Sequence, residues 1–387
     1  GVPPNRCAAC CASCWSVKPV SVESGSLGAL KLLGRGGAVT VPLPVSPEVY
    51  SVSQSFDIAV IGATGTVGET LVQLLEERDF PLANLHLLAS VESAGQSLPF
   101  KGKNLRVRAL DAFDFSTVRL AFFAAGEQIT RSYADKVRAA GCSVIDLSGG
   151  LTLEQAPRVV PEANGDVLKT LVAPYQLTSP SPSVAALACV LAPVRALLQM
   201  QRITLTACLS VSSQGREGVS ELARQTAELL NVRPLEPQFF DRQIAFNLFP
   251  QVGAADDAGH VLHERRIVEE LKQVLDQPDL KVSATCMLAP VFFGDSLSVS
   301  LQTASNVDLP ALNAALEAAA GVEMVERGDY PTVTADAIGQ DEVYVGRLRC
   351  GLDDPSEVIL SIASDNVRKG AALNAVQIAE LLIKHYL

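Results

Sequence analysis

The chain has 387 residues and a net charge of −11, from 31 basic and 42 acidic side chains. Apolar residues make up 48% and charged residues 19%, the balance of a globular protein large enough for two domains. The acidic balance argues against nucleic-acid and acidic-membrane binding, which need basic surface, and no apolar run approaches the roughly 18–20 residues that cross a bilayer.

Residues 1–54 differ in composition from the rest and are rich in Pro, Gly, Ser and Val. Four cysteines fall within a short stretch, at Cys7, Cys10, Cys11 and Cys14. Two CxxC pairs commonly bind zinc, but two adjacent cysteines leave no loop to close around one ion. We therefore expect residues 1–54 to be a disordered or non-native extension, and neither a metal site nor a signal peptide.

The remaining cysteines are scattered through the body of the chain. Scattered thiols in a chain of this length are typical of reduced, mostly buried cysteines and predict a cytoplasmic location. They are Cys142, Cys189, Cys208, Cys286 and Cys350.

The first domain begins with a short apolar run at 58–61, as in a parallel strand buried on both faces. A glycine-rich segment and an amphipathic helix over 67–78 follow it. Further strands are predicted at 85–89, 119–124 and 143–147, with a helix between the last two. This alternation predicts an N-terminal Rossmann domain with a doubly wound parallel sheet, formed by residues 55–182 plus 364–387.

Residues 183–363 show a different pattern. Helices are predicted at 184–198, 218–230, 263–275 and 309–320, and strands at 203–212, within 281–303, and near 342–349 and 358–364. Strands with long helical insertions predict an α+β domain with a mixed or antiparallel sheet. The last helix, 369–383, is apolar on one face, and we expect it to pack on the first domain.

The segment Gly-Ala-Thr-Gly-Thr-Val-Gly at 62–68 has G-x-x-G-x-x-G spacing between a predicted strand and a predicted helix. In that context the glycines allow a tight turn and let a pyrophosphate approach the N–H groups of the helix. A tight turn without a ligand is the simpler alternative. The candidate dinucleotide-binding residues are Gly62, Thr64, Gly65, Thr66, Val67 and Gly68.

The loop after the second strand contains Glu92 and Ser93, where the group that reads the adenosine ribose normally lies. A carboxylate accepts hydrogen bonds from the ribose diol and repels a 2′-phosphate. No Arg stands in this loop. The sequence therefore favours NAD over NADP, although Glu92 also reads as a solvated loop charge.

From about residue 56 to the C-terminus, the chain resembles the aspartate-semialdehyde dehydrogenase family. The resemblance covers nearly the whole body, with motifs in the same order and spacing. The motifs are 62–68, Ser93-Ala94-Gly95, Val144-Ile145-Asp146, Val159-Val160-Pro161-Glu162-Ala163-Asn164, Phe246-Asn247-Leu248-Phe249-Pro250-Gln251 and residues 364–372.

The resemblance implies a Rossmann domain and a dimerisation domain, a homodimer, and a role in amino-acid biosynthesis. The family's reaction reduces aspartyl phosphate to the semialdehyde with NADPH. A cysteine thiolate forms a thioester, a histidine acts as acid or base, and an arginine holds the substrate carboxylate.

The family positions that carry this chemistry hold other residues in this chain. Pro182 stands for the cysteine, Ser210 for the glutamine that positions the intermediate, Leu288 for the substrate arginine and Asp295 for the histidine. The phosphate-side arginine falls near Thr152. The resemblance therefore implies that the acyl-phosphate chemistry is absent.

Other family positions are filled as expected. Glu264 and Arg266 fit the substrate-binding helix, where a Glu and a Lys are usual, and Asn366 fits the position near the nicotinamide. A small acidic metabolite is the ligand that these positions imply. Of the cysteines, Cys189 is the closest to Pro182 and is expected in the core of the following helix. Cys208 lies on a strand near Ser210, from which it could approach the cleft.

Three interpretations remain open. The first is a dimeric family member that binds NAD or NADP without the thioester mechanism. The second is an active oxidoreductase that transfers hydride without a thiol, with Asp295 as acid or base or merely as a turn residue. The third is a dimeric scaffold or partner subunit without catalysis.

Overall fold

A computed structural model of the chain describes residues 29–34, 37–42 and 55–385. The first two ranges form an antiparallel hairpin, with Gly34 opposite Gly37, which is a unit of its own. The four-cysteine cluster and most of the predicted 1–54 extension lie outside the described residues. Residues 55–385 belong to a second unit, the body of the protein.

The described chain is built from both strands and helices. The strands are β1 (Ala29–Gly34), β2 (Gly37–Pro42), β3 (Phe56–Ile61), β4 (Leu82–Ala89), β5 (Ser97–Phe100), β6 (Lys103–Arg106), β7 (Arg108–Ala109), β8 (Leu120–Phe123), β9 (Ser143–Asp146), β10 (Gln176–Thr178), β11 (Met200–Leu209), β12 (Lys281–Leu288), β13 (Asp295–Thr303), β14 (Val322–Met324), β15 (Val343–Cys350) and β16 (Glu357–Ser364). The helices are α1 (Thr66–Glu77), α2 (Glu127–Ala139), α3 (Pro161–Asn164), α4 (Pro182–Leu191), α5 (Gly215–Leu230), α6 (Leu262–Val274), α7 (Leu309–Glu317) and α8 (Asn374–His385).

The first sheet has six parallel strands in the order β10-β9-β8-β3-β4-β7. The central parts of its strands, such as residues 58–61 and Leu120–Phe123, are apolar and buried because helices cover both faces: α1 and α8 pack on one face and α2 on the other. The chain leaves β3 toward β4 and later returns to β8 on the other side. The switch point between β3 and β8 is where open α/β sheets bind ligands.

The second sheet is mixed, in the order β12-β11-β13-β16-β15-β14. Its outer pairs are parallel and its inner pairs antiparallel. The core beneath it includes α4, whose residues from Ser183 to Leu191 are buried on every face of the helix, and the core-facing side chains of β11, β13 and β16. The Rossmann domain and the mixed-sheet α+β domain expected from the sequence are both confirmed.

Two element boundaries differ from the sequence prediction for local reasons. The helix predicted over 184–198 ends at Leu191, because Pro193 has no N–H with which to continue it. The last helix begins later than predicted: Arg368–Leu373 forms a wider π-helical turn, and α8 starts at Asn374. Side chains of α8 complete the core of the first domain, as expected for this helix.

The β5–β6 hairpin was not predicted from the sequence. Its turn is Lys101-Gly102, and both residues have positive φ, 46° and 73°. The hairpin brings Val107 back to pair with the backbone of Gly95 and Gln96. It therefore folds against the loop that follows β4.

Candidate functional site

The glycine loop joins β3 to α1 at the switch point of the first sheet. Gly62 has φ +81°, and a Cβ there would lie 2.7 Å from the backbone of Ala124, at the end of β8. A Cβ on Gly68 would lie 2.1 Å from the Gly62 oxygen. The packing of strand and helix therefore requires glycine at these two positions, whether or not a ligand binds.

Gly65 is not required by the fold. Its φ is −79°, and a Cβ there would make an ordinary contact of 3.4 Å with the Gly62 oxygen. It is the N-cap of α1, and no side chain caps the helix. The first amides of α1 and the bare Gly65 backbone together suit the close approach of a pyrophosphate.

The candidate loop residues lie together as predicted from the sequence. Gly62, Thr64, Gly65, Thr66 and Val67 are partly exposed, and Gly68 is buried against Gly62.

The loop after β4 contains a carboxylate, and a guanidinium from β6 lies beside the loop. Glu92 is exposed, and hydrogen bonds from the Ser90 side chain and its own backbone lower the pKa of its carboxyl. Ser93 is partly exposed, and its N–H donates to the Ser90 carbonyl. The Arg106 guanidinium lies within 3.9 Å of the position a Cβ on Gly95 would take.

The sequence of the loop after β4 does not indicate Arg106, because this residue lies outside the loop. It lies on β6, and the β5–β6 hairpin returns it to the loop. The short turn at Lys101-Gly102 is the sequence feature that indicates this hairpin. A guanidinium is a group that suits a 2′-phosphate.

A buried ionic cluster connects the two domains behind the position of Pro182. Glu270 on α6 is 1% exposed and accepts from Arg158 Nε at 3.3 Å and from Arg266 Nε at 3.1 Å. Its other oxygen accepts from the backbone N–H of Ser181 at 2.7 Å. One carboxylate thus fixes the residue before α4 relative to α6.

Arg266 also reaches the loop after β9. Its Nη1 donates to the Ser148 carbonyl at 3.3 Å, and a Cβ on Gly149 would lie 2.4 Å from its Nη2. The loop itself is organised by the buried Asp146 carboxylate, which accepts from the N–H groups of Ser148 and Leu151. Arg266 is therefore a partly exposed cation, which Glu270 holds next to the loop that follows β9.

Pro182 occupies the first position of α4. Proline suits this position because its fixed φ is helical and the missing N–H would have no partner within the helix. Its ring packs on the backbone of Gly370, where a Cβ would lie 2.6 Å from the Pro182 Cβ. Ser181, its N-cap, has a buried hydroxyl without a hydrogen-bond partner among the described residues.

Leu288 ends β12 as a buried apolar side chain. Its backbone exchanges two hydrogen bonds with Phe249, at 2.9 and 3.0 Å. On the other side β12 pairs with β11 in parallel, with Leu288 beside Leu209. Leu288 is thus part of the hydrophobic core of the second domain.

Asp295 begins β13 and is 4% exposed. Its Oδ1 accepts from the Ser210 N–H at 3.1 Å and lies 3.4 Å from the Ser210 hydroxyl. Burial, with a smaller contribution from the like charge of Asp365, raises the pKa of the Asp295 carboxyl to about 7, against the lowering effect of the Ser210 bonds. The group therefore changes its protonation state near neutral pH.

Asn366 lies at the end of β16, beside Asp295. Its Oδ1 accepts from the Gly294 N–H at 2.8 Å, and its Nδ2 donates to the Ser212 hydroxyl at 3.0 Å. The Ser212 hydroxyl lies 2.9 Å from that of Ser210. The structure therefore joins Asp295, Ser210, Ser212 and Asn366 in one hydrogen-bonded group at the end of the second sheet where β11 and β16 finish and β13 begins.

Glu264 has a structural role in this fold. One oxygen accepts from the Val261 N–H at 3.1 Å, which caps α6, and the other from the Cys286 N–H at 3.0 Å. Both carboxylate oxygens are used within the protein. Of the two residues expected on this helix to bind substrate, Arg266 has the more exposed side chain, 21% against 13% for Glu264.

The cysteines near the cleft are poor nucleophiles. Burial raises the pKa of the Cys189 and Cys286 thiols to about 12. The Cys208 side chain is partly exposed, and burial together with Asp295 raises the pKa of its thiol. His263 lies on α6, and burial lowers the pKa of its imidazole.

The residues that the structure describes include no group of three or more His, Cys, Asp or Glu side chains placed to hold a metal ion. Likewise, among the helices of the described chain, none has the length and hydrophobicity that crossing a bilayer requires.

Comparison with known proteins identifies the two domains. Residues 57–171 match the family model described as semialdehyde dehydrogenase, NAD binding domain, and residues 191–369 match semialdehyde dehydrogenase, dimerisation domain. The chain belongs to the aspartate-semialdehyde dehydrogenase family.

Three relatives show how the chain lies within this family. A protein from Azotobacter vinelandii named "USG-1 protein homolog" is 62% identical, over 86% of this chain and 99% of that protein. The solved structure of a probable aspartate-semialdehyde dehydrogenase from Pseudomonas aeruginosa is 60% identical, with a TM-score of 0.85 over 86% of this chain and all of that one. "Aspartate-semialdehyde dehydrogenase 2" of Vibrio cholerae is 39% identical, over 86% and 99%.

Replacing Glu270 with Gln removes the counter-charge of the buried Arg158. We expect the free energy of unfolding to fall by about 3–5 kcal/mol, measured by urea denaturation, because an unpaired charge would remain buried. Glu269→Gln, an exposed neighbour on the same helix, is the matched control and should change stability by less than about 0.5 kcal/mol. Equal effects of the two variants would show that Glu270 does not hold this cluster together.

Asp295 makes stability depend on pH in a defined direction. Because its folded pKa lies above the ordinary 3.8, the native state binds more protons than the unfolded state between those values, and stability is lost as pH rises toward about 7. Between pH 5 and 8 we expect Asp295 to contribute a loss of about 2–3 kcal/mol. Urea denaturation of Asp295→Asn should show a correspondingly weaker pH dependence, and identical profiles would contradict the assignment.

Proposed function

We propose that this chain binds a nicotinamide dinucleotide at the glycine loop, as a homodimer, and does not perform thioester-forming reduction of aspartyl phosphate. The observation that carries the proposal is the combination of Gly65 and Pro182. The fold would accept a side chain at Gly65, so the glycine there leaves the backbone open to a ligand without being needed for packing. Pro182 puts a ring at the start of α4, where the family resemblance places the nucleophile.

The surroundings of Pro182 support the absence of thiol chemistry. Leu288 supplies no charge for a substrate carboxylate, and Asp295 is bound to Ser210. Ser181 and Ser183 carry hydroxyls, but a serine without a base is a poor nucleophile. The nearby thiols Cys189 and Cys208 both have raised pKa values.

A small acidic metabolite is the ligand that the remaining cleft would accept, with Arg266 as its cation. Arg266 keeps part of its surface exposed while Glu270 holds its Nε. The reduced cysteines of the body agree with a cytoplasmic location.

A second candidate function is a thiol-independent oxidoreductase. The specific observation in its favour is Asp295, a buried carboxyl with a pKa of about 7, which lies in the range that general acids and bases use. A scaffold that binds no dinucleotide is the third interpretation from the sequence, and Gly65 argues against it.

The test is a fluorescence titration of the chain with NADH and NADPH, followed by an assay with aspartate semialdehyde, phosphate and the oxidised dinucleotide. We expect binding with no turnover, since no activated nucleophile faces the substrate. Gly65→Ala should weaken binding at least about tenfold with an unchanged unfolding transition, because the added methyl fits the fold but not a pyrophosphate. Turnover in the ordinary range of ~1–10³ s⁻¹ would refute the proposal.

Glu92 and Arg106 allow the same titration to test cofactor choice. Glu92 is expected to repel a 2′-phosphate and Arg106 to attract it. Glu92→Gln should therefore raise the affinity for NADPH relative to NADH, and Arg106→Gln should lower it. A ratio that neither variant changes would mean that this loop does not contact the adenosine ribose.

The homodimer is proposed to form through the open face of the second sheet. Neighbouring strands place Thr285, Thr206, Ser298 and Ser361 in one row across β12, β11, β13 and β16. The row is uncharged, and the opposite face of the same strands is the core. A flat face of small side chains suits a second copy of itself about a two-fold axis.

A single charge placed on this face should separate the subunits. We expect light scattering to give a dimer at micromolar concentration for the unmodified chain and a monomer for Ser298→Arg, because symmetry brings the new charges close together. Ser132→Arg, at an exposed position on α2, should remain dimeric. A dimeric Ser298→Arg variant would place the interface elsewhere.

A further inference from the structure

We infer that Arg216 is the cation that binds the pyrophosphate of the dinucleotide, reaching from the second domain to the glycine loop while Glu69 holds its guanidinium in place. The inference rests on the proposed function, because it needs a dinucleotide bound at that loop. It gives the site a positive side chain that lies far outside the glycine motif in the sequence.

The first turn of α1 carries a negative charge where an anion would bind. Glu69 directly follows Gly68, and its N–H donates to the Gly65 carbonyl at 2.9 Å. A carboxylate in this position is favourable for the helix alone, but it repels a phosphate brought to the same turn. Residues 62–68 contain no Lys, Arg or His to offset it. A pyrophosphate, which carries two negative charges, therefore needs a cation from another part of the fold.

Arg216 is placed to be that cation. Its Nη2 lies 2.6 Å from Glu69 Oε2, so its guanidinium is beside the start of α1. Among the described residues, Glu69 is its one ion-pair or hydrogen-bond partner, which leaves Nε and Nη1 available. The side chain is 56% exposed, so a ligand can reach it. A guanidinium has five N–H donors and can hold a carboxylate with one nitrogen and a phosphate with the others.

The backbone at Arg216 leads to the other end of the proposed dinucleotide site. Arg216 lies in the first turn of α5, which directly follows the turn Val211–Gln214. Ser212 in that turn accepts from the Asn366 amide at 3.0 Å, and the family resemblance places Asn366 near the nicotinamide. The side chain of Arg216 is thus beside the glycine loop, and its backbone is continuous with the turn that contacts Asn366.

A second arginine near the switch point is bound differently. Arg131 on α2 pairs with Glu127 of the same helix at 2.7 Å, and its Nε donates to the Gly150 carbonyl at 3.3 Å. Two of its three nitrogens are therefore occupied within the first domain. Arg216 has more donors to offer, and because it belongs to the second domain, a dinucleotide that it binds would contact both domains.

The experiment is a fluorescence titration of the full chain with NADH. We expect Arg216→Gln to weaken binding at least about tenfold, and Arg216→Lys, which keeps the charge, to weaken it less. The unfolding transition should not change, because an exposed ion pair adds little stability.

Lys169→Gln is the matched control, since it also removes one exposed cation that has a carboxylate partner. Lys169 lies in the segment before β10, at the amino ends of the parallel strands, whereas the glycine loop lies at their carboxyl ends. Its loss should leave NADH binding unchanged. Equal losses in Lys169→Gln and Arg216→Gln would indicate a general effect of charge and would overturn the inference.

Glu69→Gln distinguishes a contact with the ligand from simple neutralisation of Glu69. This variant should bind NADH at least as well as the unmodified chain, because a repulsive charge is removed. Adding Arg216→Gln to it should still weaken binding at least about fivefold. A double variant that binds as tightly as Glu69→Gln would mean that Arg216 only offsets the charge of Glu69, and the inference would be wrong.

The two proposals fail in different ways. Unchanged binding in Arg216→Gln overturns the inference and leaves the proposed function intact. Absence of NADH binding by the unmodified chain overturns both.

Discussion

The arrangement of the cleft depends on one buried carboxylate, that of Glu270. It binds Arg158 from the first domain, Arg266 from its own helix, and the backbone N–H of Ser181. A buried ion pair of this kind adds little net stability compared with apolar packing, but leaving one member unpaired is costly. Its effect is therefore to fix geometry: α6, the residue before α4 and the loop after β9 keep one relative position.

Pro182, Leu288 and Asp295 each satisfy a local requirement of the fold. Pro182 stands where a helix tolerates proline, and its ring contacts a glycine. Leu288 extends the core of the second sheet. Asp295 is a buried carboxyl that accepts from the backbone N–H of Ser210.

Local patterns predicted the parts of the structure that depend on local sequence. The apolar run at 58–61 and the glycine spacing after it predicted β3, the turn and α1 to within a residue or two. The sequence could not predict that Glu264 accepts from the Cys286 N–H, that Arg106 returns to the loop after β4, or that Ser210 binds Asp295. These contacts join residues about 10 to 85 positions apart, and only the assembled fold brings them together.

The glycines at 62–68 meet two different requirements, packing within the protein and the approach of a ligand. A sequence motif alone does not distinguish them. Gly62 and Gly68 are held by contacts of the protein with itself, so they would persist in a descendant that no longer met any nucleotide. Gly65 is under no such pressure from the fold. In a lineage that abandoned the cofactor, drift to alanine or serine would appear first at this central glycine, which makes it the informative position when related sequences are compared.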